Sequence, residues 1–152
     1  MKPIARKNLL AVLLSSLAIV IAGCSSYSAS VKPSASLAKY QRVWVKTNMD
    51  DNHGIAQFIC NALRARGIET GAGPLTMMPD NMQAVISYRD DWTWDFKDHM
   101  TGLVLSLQDN NIDFPIATAR YSGPASLTDT PDDVATKLVT KLFTTPPDRK
   151  RE

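Results

Sequence analysis

The chain has 152 residues, 44% of them hydrophobic and 21% charged, with a formal net charge of +2. That length supports one hydrophobic core and is too short for two. The positive excess sits in residues 1–23, which carry Lys2, Arg6 and Lys7 and no acidic residue, so the remainder holds 14 basic against 15 acidic side chains, a net of −1. Such a balance leaves no electrostatic footprint for nucleic acid, and the short Arg149-Lys150-Arg151 run reads as a solvated terminus.

The N-terminus has the layout of an export signal. A positive start is followed by an apolar run from residue 9 to 21, broken only by Ser15 and Ser16, and then by small residues. The run falls short of the roughly 20 apolar residues that span a bilayer. Its ending, Ile21-Ala22-Gly23-Cys24, resembles the lipobox of bacterial lipoproteins. That resemblance implies removal of residues 1–23, diacylation of the Cys24 sulfur and acylation of its new amine. Three acyl chains, at about 0.8 kcal/mol per buried CH₂, hold a protein on a membrane. In such lipoproteins an Asp after the cysteine retains the chain in the inner membrane. Ser25 stands there instead, which implies the outer membrane with the domain in the periplasm. With Cys24 lipidated, Cys60 is the one remaining thiol, expected to be buried and inert on a helix.

In chain order, residues 24–37 read as a flexible, Ser-rich tether, residues 38–143 as one domain, and residues 144–152 as a disordered tail behind Pro146 and Pro147. Residues 41–46 alternate with Val43 and Val45 on one face, a first strand. Asp50-Asp51-Asn52-His53-Gly54 is a turn cluster able to cap the next element. Residues 55–66 place Ile55, Ile59, Ala62, Leu63 and Arg66 along one helical stripe, with Gly67 as the stop. Residues 68–82 suggest at most a short strand in a loop. Strand patterns follow at 84–96, 101–108 and 116–121, the last two joined by a turn at 109–113. Thr130, Pro131, Asp132 and Asp133 form a helix start, and Val134, Ala135, Leu138, Val139 and Leu142 its buried stripe. The order β-α-(β)-β-β-β-α predicts an α+β fold, with two helices on one face of a mainly antiparallel sheet of about four strands. The other face is left to solvent or a partner.

The stretch from Tyr88 to Phe96 concentrates aromatic and acidic residues. Its even positions, Tyr88, Asp90, Trp92, Trp94 and Phe96, fall on the face shared with Ala84 and Ile86, and its odd positions are polar. The alternation predicts a core-facing aromatic row containing one charge. Asp90 is expected to pair with Arg42, Arg89 or Arg120, since an unpaired buried carboxylate is costly. The competing reading is a bulge at Asp90-Asp91 that slips the register. The functional alternative is an aromatic platform on which Trp92 and Trp94 stack against a sugar, with Asp90 or Asp95 accepting its hydroxyls.

Catalytic chemistry finds little to build on. Glutamate occurs only at 69 and 152, and His53 and His99 are the sole imidazoles, both in turn-like polar stretches. Asp50, Asp51 and His53 match no dedicated metal loop, and no phosphate loop or nucleophile motif appears. No catalytic residue, metal site or cofactor is therefore expected.

Together, the lipobox, the tether, Val43-Trp44-Val45 before the first helix, and Tyr88…Trp92-Thr93-Trp94-Asp95 before a Leu-rich strand resemble the small lipoproteins of Gram-negative bacteria. The element order is also similar to that of the lipopolysaccharide-assembly lipoproteins. The resemblance implies a non-enzymatic outer-membrane module, held by its acyl chains, that binds or scaffolds another envelope protein. The alternative is a glycan or lipopolysaccharide binder using Trp92 and Trp94.

Overall fold

The computed structural model describes residues 25–94, 96–124 and 129–149. Its elements run β1 (Ser26–Val31), β2 (Arg42–Lys46), α1 (Ile55–Ala65), β3 (Glu69–Gly73), β4 (Ala84–Trp94), β5 (Asp98–Asp109), β6 (Ala117–Ser122) and α2 (Pro131–Thr144). The strands form one sheet in the order β1-β6-β5-β4-β2-β3. The pairs β1/β6, β6/β5 and β5/β4 are antiparallel, whereas β4/β2 and β2/β3 are parallel. The α+β class and the two helices are as expected. The sheet is larger than expected, with six strands, and mixed.

Both differences have local causes. Residues 26–31, expected in the tether, form β1 because S-Y-S-A-S-V alternates strictly. Tyr27, Ala29 and Val31 turn toward the core while the serines turn outward. Serine composition concealed that period. In β3, Gly71 and Gly73 lie beside the indole of Trp44 on β2, where a Cβ would come within 2.6 and 2.9 Å of its ring. Trp44 Nε1 donates to Gly73 O at 3.1 Å. The glycines that made this segment look irregular are the ones a buried Trp on the neighbouring strand requires.

One face of the sheet carries the core. Val43, Val45, Ile86, Leu103, Leu105, Leu107 and Tyr121 point into it, against Ile55, Ile59 and Leu63 of α1 and Leu138 and Leu142 of α2. The helix ends follow the sequence closely. Gly67 has φ 79° just beyond α1, a conformation that costs glycine nothing. At the start of α2, Thr130 and Asp133 form a reciprocal capping box behind Pro131. Cys60 is buried on α1 with Sγ 3.8 Å from Thr70 Oγ1, and burial pushes its thiol up.

The C-terminal segment also departs from expectation. Asp148, placed in a disordered tail by the sequence, donates its backbone N–H to Val31 O at 2.7 Å and accepts from Ser30 Oγ. An edge strand has unpaired backbone groups on one side, and this segment satisfies one of them on β1. Among the described residues, no helix is long and apolar enough to cross a membrane.

Candidate functional site

The aromatic stretch lies on the longest hairpin of the fold. On one side β6 follows β5 only as far as the pair Gly102–Ser122, and on the other β2 follows β4 only as far as Val45–Ile86. The distal parts of β4 and β5 therefore project past the sheet as a two-stranded tip. A bulge does occur, but on the partner strand. Asp91 opposes Gly102 and Trp92 opposes Met100, which leaves Thr101 of β5 as the extra residue. The alternation along β4 is intact, so Asp90 and Trp92 share the inward face, as the uninterrupted parity predicts.

Asp90 takes a different partner from the expected arginine. Trp92 Nε1 donates to Asp90 Oδ2 at 2.6 Å. Residues two apart on one strand face are adjacent, so the indole reaches back to the carboxylate. The arginines are committed elsewhere: Arg42 Nε donates to Asn81 O, while Arg89 and Arg120 stand exposed on the opposite face. One face of the Trp92 ring is covered by the His53 imidazole, with centroids 3.6 Å apart and planes 15° apart. His53 Nε2 in turn lies 3.2 Å from Asp98 Oδ2 at the start of β5. The carboxylate, indole, imidazole and second carboxylate thus form a chain that ties the loop before α1 to the hairpin tip.

The expected core-facing row breaks beyond Trp92. Tyr88 is buried and Trp92 half-buried, but Trp94 is 71% and Phe96 92% exposed. Neither helix reaches that far along the hairpin, so alternation continues past the end of the core. The two exposed rings lie 6.1 Å apart, and Phe96 has φ 59° in the turn. His99 is also misplaced by the sequence reading, being a buried residue of β5 rather than part of a turn. Cys24 and Asp95 lie outside the described residues.

Asp51 is the best-connected carboxylate near the tip. Its oxygens accept from the backbone N–H groups of His53, Ile55 and Ala56 at 3.0 to 3.1 Å, and from Tyr88 Oη at 2.7 Å. Burial pushes Asp51 up, but these hydrogen bonds, led by that from Ala56, outweigh it and hold the carboxyl below its usual range. Burial raises the Tyr88 phenol well above its ordinary value, and the Asp51 carboxylate adds to the rise. The turn cluster is thus a helix cap, as its sequence suggested. No group of three metal-ligating side chains occurs among the described residues.

At the opposite end of the sheet, Asp109 is buried and accepts from Tyr40 Oη at 2.6 Å, Lys39 Nζ at 3.1 Å and Asn111 N at 2.9 Å. Those contacts, that from Tyr40 foremost, hold its carboxyl far below the usual range. Sequence reasoning missed this cluster, because nothing in the spacing of residues 39, 40 and 109 announces that they meet.

Over β1, β6, β5 and β4 the sheet face away from the helices is open, whereas Trp44 of β2 is buried on that face. Cross-strand register aligns Ser28, Arg120, Val104 and Arg89 in one row and Ser30, Thr118, Ser106 and Ser87 in the next. A shallow cleft of about 250 Å³ lies over Ser87, Arg89, Val104, Ser106 and Arg120. The two guanidinium-bearing strands are two spacings apart, about 10 Å. Arg89 makes only a long contact, 3.9 Å, to Asp91.

No protein-family model and no curated protein matches this chain. Among solved structures, the chain is similar to the PelC dodecamer from Paraburkholderia phytofirmans, with a TM-score of 0.55 and 20% identity over 80% of this chain and 96% of that one. A point variant of that dodecamer gives a TM-score of 0.54 and 21% identity over 80% and 95%. A minor lipoprotein from Acinetobacter baumannii gives a TM-score of 0.35 and 15% identity over 68% and 91%. At these identities the likeness to the two dodecamer structures shows a shared fold.

Proposed function

We propose that the chain is a non-enzymatic, lipid-anchored module of the bacterial outer membrane that docks another envelope protein through its open sheet face. The observation that carries this reading is the row Ser28, Arg120, Val104, Arg89 opposite both helices, in which Ser28 and the two arginines are exposed and Val104 is half-buried. Short hydroxyl side chains leave the backbone accessible, and the two arginines offer planar donors suited to carboxylates. The partner's matching surface is therefore acidic. The lipobox at Cys24 supplies the address, and Ser25 after it favours the outer membrane. Cross-linking in intact envelopes followed by capture of the tagged chain tests the reading. Recovery of one specific partner, lost in the Arg89→Glu/Arg120→Glu double variant, supports it. No partner together with a monomer in detergent refutes it.

A second reading is self-assembly, favoured by one observation: a solved structure that shares this fold over most of both chains is a dodecamer. In that case the partner is another copy, and native mass spectrometry of the acylated protein in mild detergent gives a closed oligomer. A monomer at micromolar concentration retires it.

A further inference from the structure

We propose that the β4–β5 hairpin tip, through Trp94 and Phe96, is a second membrane contact that inserts at the surface of an uncharged phospholipid leaflet. The proposal rests on the lipid-anchored reading above and adds what the anchor alone does not supply, an orientation.

The register places the anchor and the tip at the same end of the sheet. Ser26, the first residue of β1, pairs with Ser122, which pairs with Gly102, which pairs with Asp91. Beyond that level the chain toward Cys24 has only Ser25 to cross, while the hairpin continues to Trp94. Two residues of extended chain reach at most about 7 Å. From Asp91 to Trp94 the strand rises about 10 Å. The reach of that tether and the rise of the strand are therefore comparable. Laterally, β1 and β4 are three strand spacings apart in the sheet, about 14 Å. An acylated Cys24 on so short a tether keeps the membrane close to this end of β1, and with the strands upright the tip meets it too.

The exposed side chains at this end suit that surface. Trp94 and Phe96 are 71% and 92% exposed, and Met49, in the loop after β2, is fully exposed. This is the amphipathic aromatic chemistry that settles at the boundary between headgroups and acyl chains. The tip is also braced from behind, because Trp92 is held by His53 and Asp90 rather than free to turn outward. The carboxylates of Asp91 and Asp98 lie at the same end and are more than half exposed, and they outnumber the one exposed cation of the turn, Lys97. They disfavour an anionic leaflet, so the contact is apolar in origin and insensitive to salt.

The test uses the full chain, processed in cells and reconstituted in phosphatidylcholine and phosphatidylethanolamine vesicles whose acyl chains carry bromine near the headgroup. The expected result is strong quenching of tryptophan emission in the wild type that is lost in Trp94→Phe and unchanged by salt on these uncharged vesicles, and weaker quenching on phosphatidylglycerol vesicles that salt restores. Circular dichroism of Trp94→Phe matching the wild type shows that an exposed ring, not the fold, was removed. N-terminal mass spectrometry separates the two readings. An acylated N-terminus without quenching overturns the tip contact alone, whereas an unacylated N-terminus overturns the anchored reading and this proposal with it. Quenching-independent changes in Trp94 emission on adding soluble peptidoglycan fragments or lipopolysaccharide, without vesicles, overturn the proposal in favour of a glycan. Emission that tracks protein concentration overturns it in favour of a second copy of the chain.

Discussion

Replacing Asp51 by Ala removes the acceptor for three backbone N–H groups at the start of α1 and for the buried Tyr88 phenol. Loss of a helix cap costs about 0.5 to 2 kcal/mol, and an orphaned hydrogen bond to a charged group about 1.5 to 3 kcal/mol. The contacts share two oxygens and Tyr88 still accepts from Asn48 N, so the terms overlap and about 2 to 3 kcal/mol is expected in total. For a domain of this size about 1 kcal/mol corresponds to roughly 3 to 5 °C, so Tm at neutral pH falls by roughly 6 to 15 °C. The pH dependence distinguishes a charge-assisted cap from simple packing. Because Asp51 is held below the ordinary carboxylate range, its contribution is fully present above the unfolded value of about 3.9 and is lost as pH falls through the folded one. The difference between wild type and Asp51→Ala must therefore narrow as pH drops toward 2. Asp51→Asn, which keeps an acceptor oxygen but no charge, should cost less at neutral pH, and because the acid loss belongs to the wild-type carboxylate its smaller difference should narrow as well, while the gap between the Asn and Ala variants stays constant. Thermal melts followed by circular dichroism across that range provide the measurement. A difference between wild type and Asp51→Ala that stays constant with pH, or one under about 0.5 kcal/mol, refutes the reasoning.

Gly71→Ala forces a Cβ to within 2.6 Å of Trp44 Cζ3, and urea titration should show a loss of about 1 to 3 kcal/mol with an altered near-ultraviolet tryptophan band. Tyr40→Phe deprives Asp109 of its shortest hydrogen bond, costing about 1 to 3 kcal/mol at neutral pH. Asp109 is also held low, so that deficit too should shrink in acid, as parallel melts would show. Trp92→Phe keeps a ring against His53 but removes the donor to Asp90. A loss of about 1 to 2 kcal/mol is expected, and no measurable loss would mean the half-buried carboxylate is satisfied by water. Arg89→Glu/Arg120→Glu, both exposed on the open face, should change stability by less than about 1 kcal/mol while abolishing partner capture.

What the sequence made legible were the elements with a strong local signature. The Thr130-Pro131-Asp132-Asp133 start defined α2 to the residue, and Gly67 marked the end of α1, because a cap or a positive φ is set by the residues themselves. The parity of β4 was readable too, since a one-residue slip would have turned Ile86 to solvent. Pairing was not legible. Nothing in Arg42–Lys46 announces that β2 lies parallel to both its neighbours, and the serines of β1 disguised an alternation whose apolar half is modest. At the site, Asp90 and Trp92 were visible as an oddity in the row, but the partner of each came from elsewhere in space. His53 reaches Trp92 across 39 positions, and Trp94 is exposed because the helices stop short, a property of their packing rather than of the strand.

The open face and the hairpin tip constrain each other. Strand direction runs from Asp109 at one end of β5 to the tip at the other, and β1 starts at the tip end. With both the anchor and the tip on the membrane, the strands stand steeply on it rather than lying along it. The Arg89–Val104–Arg120 row then looks sideways, parallel to the lipid surface, and the helix layer looks the opposite way. In that orientation the face is presented directly to proteins held on the same membrane, another anchored protein or another copy of the chain. A soluble partner arriving from the aqueous side meets instead the Lys39, Tyr40 and Asp109 end, where the polar groups are already satisfied by one another. The geometry thus favours partners confined to the same membrane.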